Sequence, residues 1–253
     1  MELSKNNFSG PFPRDLPNAP KLEYLNVSEN SFDSTLPANI WNSPSLQIFS
    51  ASFSKLTGKI PEFKSCENIY KIEMEGNQLS GTIPWDIGHC VKLISLNLQR
   101  NSISGIIPWE ISSLPSITEV DLSHNLLTGT IPSVFGNCST LEGFNVSYNQ
   151  LTGPVPASGI AFSTLHPSSF TGNEGLCGGV IRKPCRTQTE PTASQKNHRS
   201  HTVDRRGGVW RRPLHPHRRN PVLPCKQPAT IRGGGSGNRA VETNRLPTLK
   251  LHR

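Results

Sequence analysis

Apolar residues return along this chain at the first, fourth and sixth places of a unit about 24 residues long, with polar residues between them. The units begin at Leu22, Leu46, Ile69, Leu93, Ile117 and Leu141, spaced 24, 23, 24, 24 and 24 residues apart, and residues 1–21 fit as the end of an earlier unit. In the unit ITEVDLSHNLLTGTIPSVFGNCST, Ile117, Val120 and Leu122 are the apolar set; Leu93, Leu96 and Leu98 match them one unit earlier. Alternation across the fourth to sixth places is the period of a half-buried strand, so these residues point inward and their neighbours outward. One coil of this length cannot bury its own apolar face. Stacked coils can, and their strands are predicted to form one parallel sheet lining a concave face.

Three further columns run through the repeat. The ninth place is Asn at Asn6, Asn30, Asn77, Asn101, Asn125 and Asn149, where a short amide can satisfy backbone groups left unpaired as the chain leaves the strand. Ser54 is the exception, so the weakest rung is expected there. The thirteenth place is glycine in every unit but the one with Ser34. An apolar residue plus proline then follows, from Phe12-Pro13 to Val155-Pro156, fixing an extended segment that cannot continue as helix.

The string N-x-L-x-G-x-I-P, repeated through residues 1 to about 160, resembles the plant-specific leucine-rich repeat of receptor-like kinases and receptor-like proteins. The fold class this implies is an α/β repeat, a leucine-rich repeat solenoid. Segments such as LQIFSASFSKLTGKIP, GTIPWDIGHC and FNVSYNQLTGP are similar to the end of an ectodomain from a kinase that perceives a secreted peptide. The resemblance implies an extended peptide hormone along the concave strands. It also implies a co-receptor kinase ectodomain, of the somatic-embryogenesis receptor kinase type, docking near the last repeats. Such receptors hold the ligand's carboxylate with an Arg-x-Arg pair on one strand. No strand here carries that pair and Arg100 stands alone, so weak peptide binding is expected.

Outward places three, five, seven and eight make up the candidate binding face: Tyr24, Ile48, Phe53, Lys71, Glu73, Glu75, Gln99, Arg100, Glu119, Asp121, His124 and Tyr148. Ile48 and Phe53 are apolar where the repeat does not require it, which suits partner anchors. Glu73, Glu75, Glu119 and Asp121 form an acidic stretch suited to a positively charged partner. Asp121, Ser123 and His124 have the residue types of a hydrolytic triad. An extended strand, however, spreads them along its length, so they are expected to be a polar recognition surface. No G-x-S-x-G, H-E-x-x-H, H-R-D or D-F-G motif occurs, and no catalytic residue, cofactor or metal is expected. Trp85 and Trp109 share place 17 and are expected to pack between coils.

Cys177 and Cys185, eight positions apart in a Gly-rich stretch, are spaced to staple the last coil, and the stretch is similar to the paired-cysteine cap of plant receptor ectodomains. Cys66, Cys90 and Cys138 recur in one column and are expected to be small core residues rather than bonded ones. Asn7, Asn26, Asn137 and Asn145 begin Asn-X-Ser sequons, which with the cap pair suggest an oxidising extracellular compartment. Glycans on Asn26 or Asn145 would obstruct the binding face.

Composition divides the chain. Its 253 residues carry a formal charge of +8, but residues 1–185 hold 11 Lys and Arg against 15 Asp and Glu, a net of −4. Residues 186–253 hold 15 against 3, a net of +12. The expected organisation is repeats over 1–160, a cap over 161–185, and a Pro/Arg/Gly-rich tail over 186–253 that reads as disordered. A nucleic-acid arm would suit the arginines, yet no base-reading module accompanies them and no nucleic-acid partner is expected. His215-Pro-His217 could touch a metal, but a lone His-X-His is weak evidence for a site. A reading frame shifted by one base would turn residues 201–225 into an apolar run resembling the membrane span expected after the cap. On this reading the parent receptor sits at the plasma membrane facing outward. This chain, opening on MELSKNNFSG, shows neither signal peptide nor anchor. The alternative is a free-standing repeat protein with a basic, anion-binding tail.

Overall fold

The computed structural model describes residues 1–157 and 161–185, and the tail, with Cys225, His215 and His217, lies outside them. Two six-stranded parallel sheets run along the stack of coils. Numbered in chain order, the strands are β1 (Tyr24–Asn26), β2 (Ile48–Ser50), β3 (Thr57–Lys59), β4 (Lys71–Glu73), β5 (Gln78–Gly81) and β6 (Ser95–Asn97), then β7 (Ser102–Gly105), β8 (Glu119–Asp121), β9 (Leu126–Gly129), β10 (Gly143–Asn145), β11 (Gln150–Pro154) and β12 (Gly175–Cys177). The first sheet, β1-β2-β4-β6-β8-β10, is the one the apolar alternation predicts. The second, β3-β5-β7-β9-β11-β12, is a finding. Most of its strands follow the ladder asparagine and carry one core side chain apiece (Leu79, Ile103, Leu127, Leu151), too few to leave a periodic signal.

The asparagine column joins one coil to the next. Asn125 Nδ2 donates to the carbonyls of Leu98, Leu122 and Ser123 at 3.0, 3.1 and 3.2 Å, while its Oδ1 accepts from Ile103 N at 3.0 Å. Leu98 belongs to the preceding coil, so one amide closes its own turn and bridges to its neighbour. Asn30, Asn77, Asn101 and Asn149 repeat the pattern. At Ser54 the hydroxyl keeps the inter-coil bond, donating to Val27 O at 2.8 Å. It lacks the second polar atom of an amide, and Phe32 N turns to the Ser54 carbonyl at 3.2 Å instead. Asn77 supports this rung from the next coil, its Oδ1 accepting from both Ser54 N and Leu56 N.

The ladder outlasts the repeat pattern. Asn173, 24 residues after Asn149, accepts from Leu151 N and donates to Val146 O, so a further coil is stacked on the sixth full unit where the proline column has already failed. Leu176 on β12 is fully buried there.

Between the sheets each coil turns through a short 3-10 segment, including Trp85–His89, Trp109–Ser113 and Ser133–Asn137. Pro84, Pro108 and Pro132 stand in front of these three with extended backbones, setting the entry angle. The core behind them is continuous, with aromatic clusters toward both ends: Trp41 stacks on Phe63 at 4.8 Å, and Phe144 lies 5.0 Å from Phe135 and 5.6 Å from Phe162. At the first coil Leu3 is half-buried and Phe8 is exposed.

Cysteine pairing corrects one expectation. Cys66 and Cys90 are buried but bonded to each other, with Cα atoms 4.8 Å apart. Stacked parallel coils hold equivalent residues at about the 4.7–4.9 Å spacing of neighbouring strands, which lies inside the range a disulfide needs. A shared column therefore favours the bond. Cys177 and Cys185 are also bonded, and no cysteine among the described residues is free.

Replacing both Cys66 and Cys90 by alanine is expected to lower stability by about 3.5 kcal/mol, the loop-closure value for a separation of 24 residues, in urea unfolding. Asn125→Ala strands the Ile103 N–H and removes one of the two donors from each of the Leu98, Leu122 and Ser123 carbonyls, and is expected to cost about 2 kcal/mol in the same measurement.

Candidate partner-binding face

Register across the first sheet sorts the outward residues into rows. Place three gives Tyr24, Ile48, Lys71, Ser95, Glu119 and Gly143; place five gives Asn26, Ser50, Glu73, Asn97, Asp121 and Asn145. Tyr24 and Ile48 occupy one end of the first row, and Glu119 followed by Gly143 the other. Ile48 is half-buried between Tyr24 and Lys71.

The second row is a hydrogen-bonded polar ladder. Ser50 donates to Glu73 at 2.6 Å, Asn145 to Asp121 at 3.1 Å, and Asn97 to Glu75 in the adjoining row. Lys71 Nζ sits 2.6 Å from Glu73. Burial pushes the Glu73 carboxyl up, but the hydrogen bonds from Lys71 and Ser50 and the lysine charge outweigh it, leaving the group below its ordinary value. Glu119 is less engaged, with Ser95 Oγ at 3.3 Å. At the first coil Tyr24 donates its hydroxyl to Glu2 at 2.8 Å, and burial together with that bond raises the phenol.

Place eight sits at the edge of the sheet with an unusual backbone. Glu29, Phe53, Arg100, His124 and Tyr148 all have φ between 52° and 55°, the left-handed region. Such a conformation costs an L-residue roughly 1–2 kcal/mol. It persists because it keeps each N–H in the inter-coil ladder: Phe53 N bonds Glu75 O, Arg100 N bonds Ser123 O, and His124 N bonds Ser147 O. Gly76 fills the same column with the same left-handed backbone, at φ 64°, and the Phe53 side chain occupies the space beside it. A Cβ would lie 2.3 Å from the Phe53 ring, which rests across that gap and remains 48% exposed.

Place seven is less open than the repeat pattern suggests. Ser123 and Ser147 are buried, as is Ser50 in place five, whereas Glu75 and Gln99 are half-buried. The Asp121, Ser123 and His124 set does not converge. Asp121 Oδ1 accepts from both the N–H and the hydroxyl of Ser123, at 2.9 and 2.6 Å, while the His124 ring stacks on Tyr148 at 4.4 Å. Histidine does not stand between the other two, and the arrangement presents an aromatic pair beside Arg100.

Toward the last coils a hollow of about 270 Å³ lies against β8 and β10. Glu119, Asp121 and Glu142 give it three carboxylates, and His166 enters from the added coil with Nδ1 held by Ser168 at 2.8 Å. Sequence reasoning passed over Glu142 and His166. The second is placed by the coil around Asn173, whose 24-residue offset from Asn149 was the available signal.

The sequons differ in accessibility. Asn7 and Asn137 are exposed, whereas Asn26 and Asn145 each use both side-chain polar atoms, Asn26 on Glu2 and Ser28 N and Asn145 on Asp121 and Ser147 N. Trp85 and Trp109 correct another expectation. They are 67% and 42% exposed instead of packed between coils, because the 3-10 segments begin at these residues and bury the following Ile87 and Ile111 in their place.

Because the folded Glu73 carboxyl titrates below the ordinary range near 4.3, its contribution to stability is full above that range and lost as pH falls through the folded value. Lys71→Met is expected to raise the Glu73 pKa in a carbon-detected NMR titration and to move acid unfolding to higher pH.

The Leucine Rich Repeat family profile matches residues 21–43, 92–114 and 116–138. Over 135 residues the chain is 75% identical to the leucine-rich repeat receptor-like protein kinase TDR of Arabidopsis thaliana, covering 53% of this chain and 13% of that protein. The crystal structure of a TDR receptor superposes with a TM-score of 0.68 at 58% identity, over 71% of this chain and 30% of that one. The Arabidopsis receptor kinase HAESA, solved in complex with the peptide hormone IDA and the co-receptor SERK1, gives 0.66 at 33% identity, over 72% and 30%. PEPR1 in the PEPR1–AtPEP1 structure gives 0.62 at 34% identity, over 70% and 25%. The chain thus spans less than a third of each relative. Repeat columns, two parallel sheets and these likenesses agree: the chain is a leucine-rich repeat solenoid whose coils are similar to those of plant receptor-like kinase ectodomains.

Proposed function

We propose that this chain is a non-catalytic binding module corresponding to the C-terminal repeats of a plant receptor-kinase ectodomain. Its first-sheet face takes an extended, positively charged peptide of the hormone class, and its last coils take a co-receptor ectodomain. The observation that carries this reading is the succession along one face of an apolar end (Tyr24, Ile48, Phe53), a polar ladder, and a carboxylate-rich hollow (Glu119, Asp121, Glu142). An extended peptide meets these in order, with charge fixing its register.

Two features weaken peptide capture. Arg100 is the one arginine in these rows, so a terminal carboxylate finds no paired clamp. Glu73 is already paired with Lys71, leaving Glu119 and Glu142 as the freer acids. Disulfides at Cys66–Cys90 and Cys177–Cys185 and exposed sequon residues at Asn7 and Asn137 support an extracellular setting, with glycans at those two positions rather than at Asn26 or Asn145. The division into repeats, cap and tail at residues 160 and 185 belongs to the same proposal.

Fluorescence anisotropy of the full chain with a labelled peptide hormone of this receptor class is expected to give a dissociation constant weaker than about 1 μM, rising with salt. Glu119→Lys is expected to weaken it at least about fivefold. Submicromolar binding, or indifference to Glu119→Lys, would place the groove elsewhere.

A further inference from the structure

A second surface lies apart from the first sheet, where the second sheet runs into the 3-10 segments. Its main feature is a cavity of about 520 Å³ whose walls include Lys59, Glu62, Lys64, Trp85, Asp86 and His89. Asp86 is 7% exposed, and its Oδ1 is buried without a hydrogen-bond partner. An acceptor on a carboxylate withdrawn from water is costly unless a donor reaches it. The asparagine ladder leaves no comparable atom unsatisfied among the described residues, so this one is an exception in a thoroughly paired fold.

No neighbouring cation makes an ion pair with Asp86 among the described residues, although Lys64 is near enough for the two charges to act on each other. Lys64 is committed to Glu62 at 2.9 Å. Lys59 makes no ion pair among the described residues, and its stem lies along Gly81, where a Cβ would meet Lys59 Cγ at 3.0 Å. A metal ion is a poor counterpart, since no group of three His, Cys, Asp or Glu that could hold one occurs among the described residues. An organic cation fits better. Trp85 belongs to the same wall, 67% exposed, with its ring edge-on to His89 at 6.1 Å. A planar guanidinium can donate to the carboxylate and lie against an indole at once; a compact, strongly hydrated ammonium does this less well.

The apolar surround extends the site. Trp85 is shared with an adjoining hollow of about 340 Å³ that includes Ile106 and Trp109, and Ile106 is 65% exposed. Exposed apolar residues beside an unsatisfied buried acid have the composition of a protein interface, with an apolar anchor next to a charge that needs its partner.

We propose that this flank is a second interaction surface that receives an arginine side chain from a protein partner, the guanidinium bonding Asp86 against Trp85 while the residues beside it cover Ile106 and Trp109. None of these residues lies on the first sheet, so the surface can be occupied together with the peptide face.

The test uses the full chain with nitrogen-15-labelled tryptophan and N-acetylarginine amide as probe, with N-acetylcitrulline amide as its uncharged counterpart. The arginine probe is expected to shift the Trp85 indole signal saturably, in the millimolar range, with the citrulline probe at least about tenfold weaker. Asp86→Asn is expected to abolish the difference between probes. Trp85→Ala, at an exposed position, is expected to weaken binding of the arginine probe, followed by the Trp109 signal, with thermal unfolding unchanged. Glu119→Lys is expected to leave the response intact. No saturable response, an equal response to citrulline, or a preference for the arginine probe that survives Asp86→Asn would overturn the proposal. So would a response seen only after Lys59→Met, because Lys59 would then be the natural partner of Asp86.

Discussion

In a stack of parallel coils no coil can satisfy its own backbone. Each short strand has hydrogen-bonding groups on both edges, and each bend out of the strand strands more. The asparagine column meets this constraint with one side chain per coil, bonding its own turn and the preceding coil through the same amide. The side chain must be short, must carry a donor and an acceptor, and must recur at the same place in every coil. Ser54 shows how strict this is: it keeps the inter-coil donor, but its missing acceptor is replaced by a backbone carbonyl. The solenoid therefore extends as far as asparagine does, which is why the coil around Asn173 belongs to it although the proline column has ended.

The same constraint shapes the candidate binding face. Feeding the chain toward the asparagine requires a left-handed residue at place eight, so Phe53, Arg100, His124 and Tyr148 leave the sheet along one edge in a common direction. Their identities are free because the ladder uses only their backbone groups, the N–H of each and the carbonyls of His124 and Tyr148. Place seven has less freedom, and its serines in the last coils are drawn inward onto Asp121 and Asn145 or under the turn. Variation suited to recognition is thus concentrated in places three and eight, with place five forming a bonded floor. The strained backbone and the adaptable side chains occupy the same positions.

Much of the fold was legible because the repeat is written in residue types that have a single use. Asparagine at place nine, glycine at thirteen and proline at sixteen each answer a backbone requirement, and seven copies leave little ambiguity. The second sheet was not legible, since a strand such as Gln78–Gly81 has one core residue, Leu79, and no alternation to read. The Cys66–Cys90 bond was misjudged because a shared column looks like equivalence of burial, whereas in stacked coils it is also contact. For the binding face, the rows followed from period two, but depth did not. Whether Ser123 or Trp85 is buried depends on the bend of each coil, which the spacing of apolar residues does not encode.

The bond between Cys66 and Cys90 has a mechanical consequence. A solenoid held only by contacts between neighbours unravels one coil at a time when its ends are drawn apart, and each released coil lengthens the chain. Here the residues between two adjacent coils are closed into a covalent ring, with a sequence separation of 24. An extended chain gains about 3.3–3.6 Å per residue, so roughly 80 Å of contour is withheld from any load. Tension reaching this point passes through sulfur rather than through the strands, and the coil between the two cysteines is spared the force that would open its neighbours.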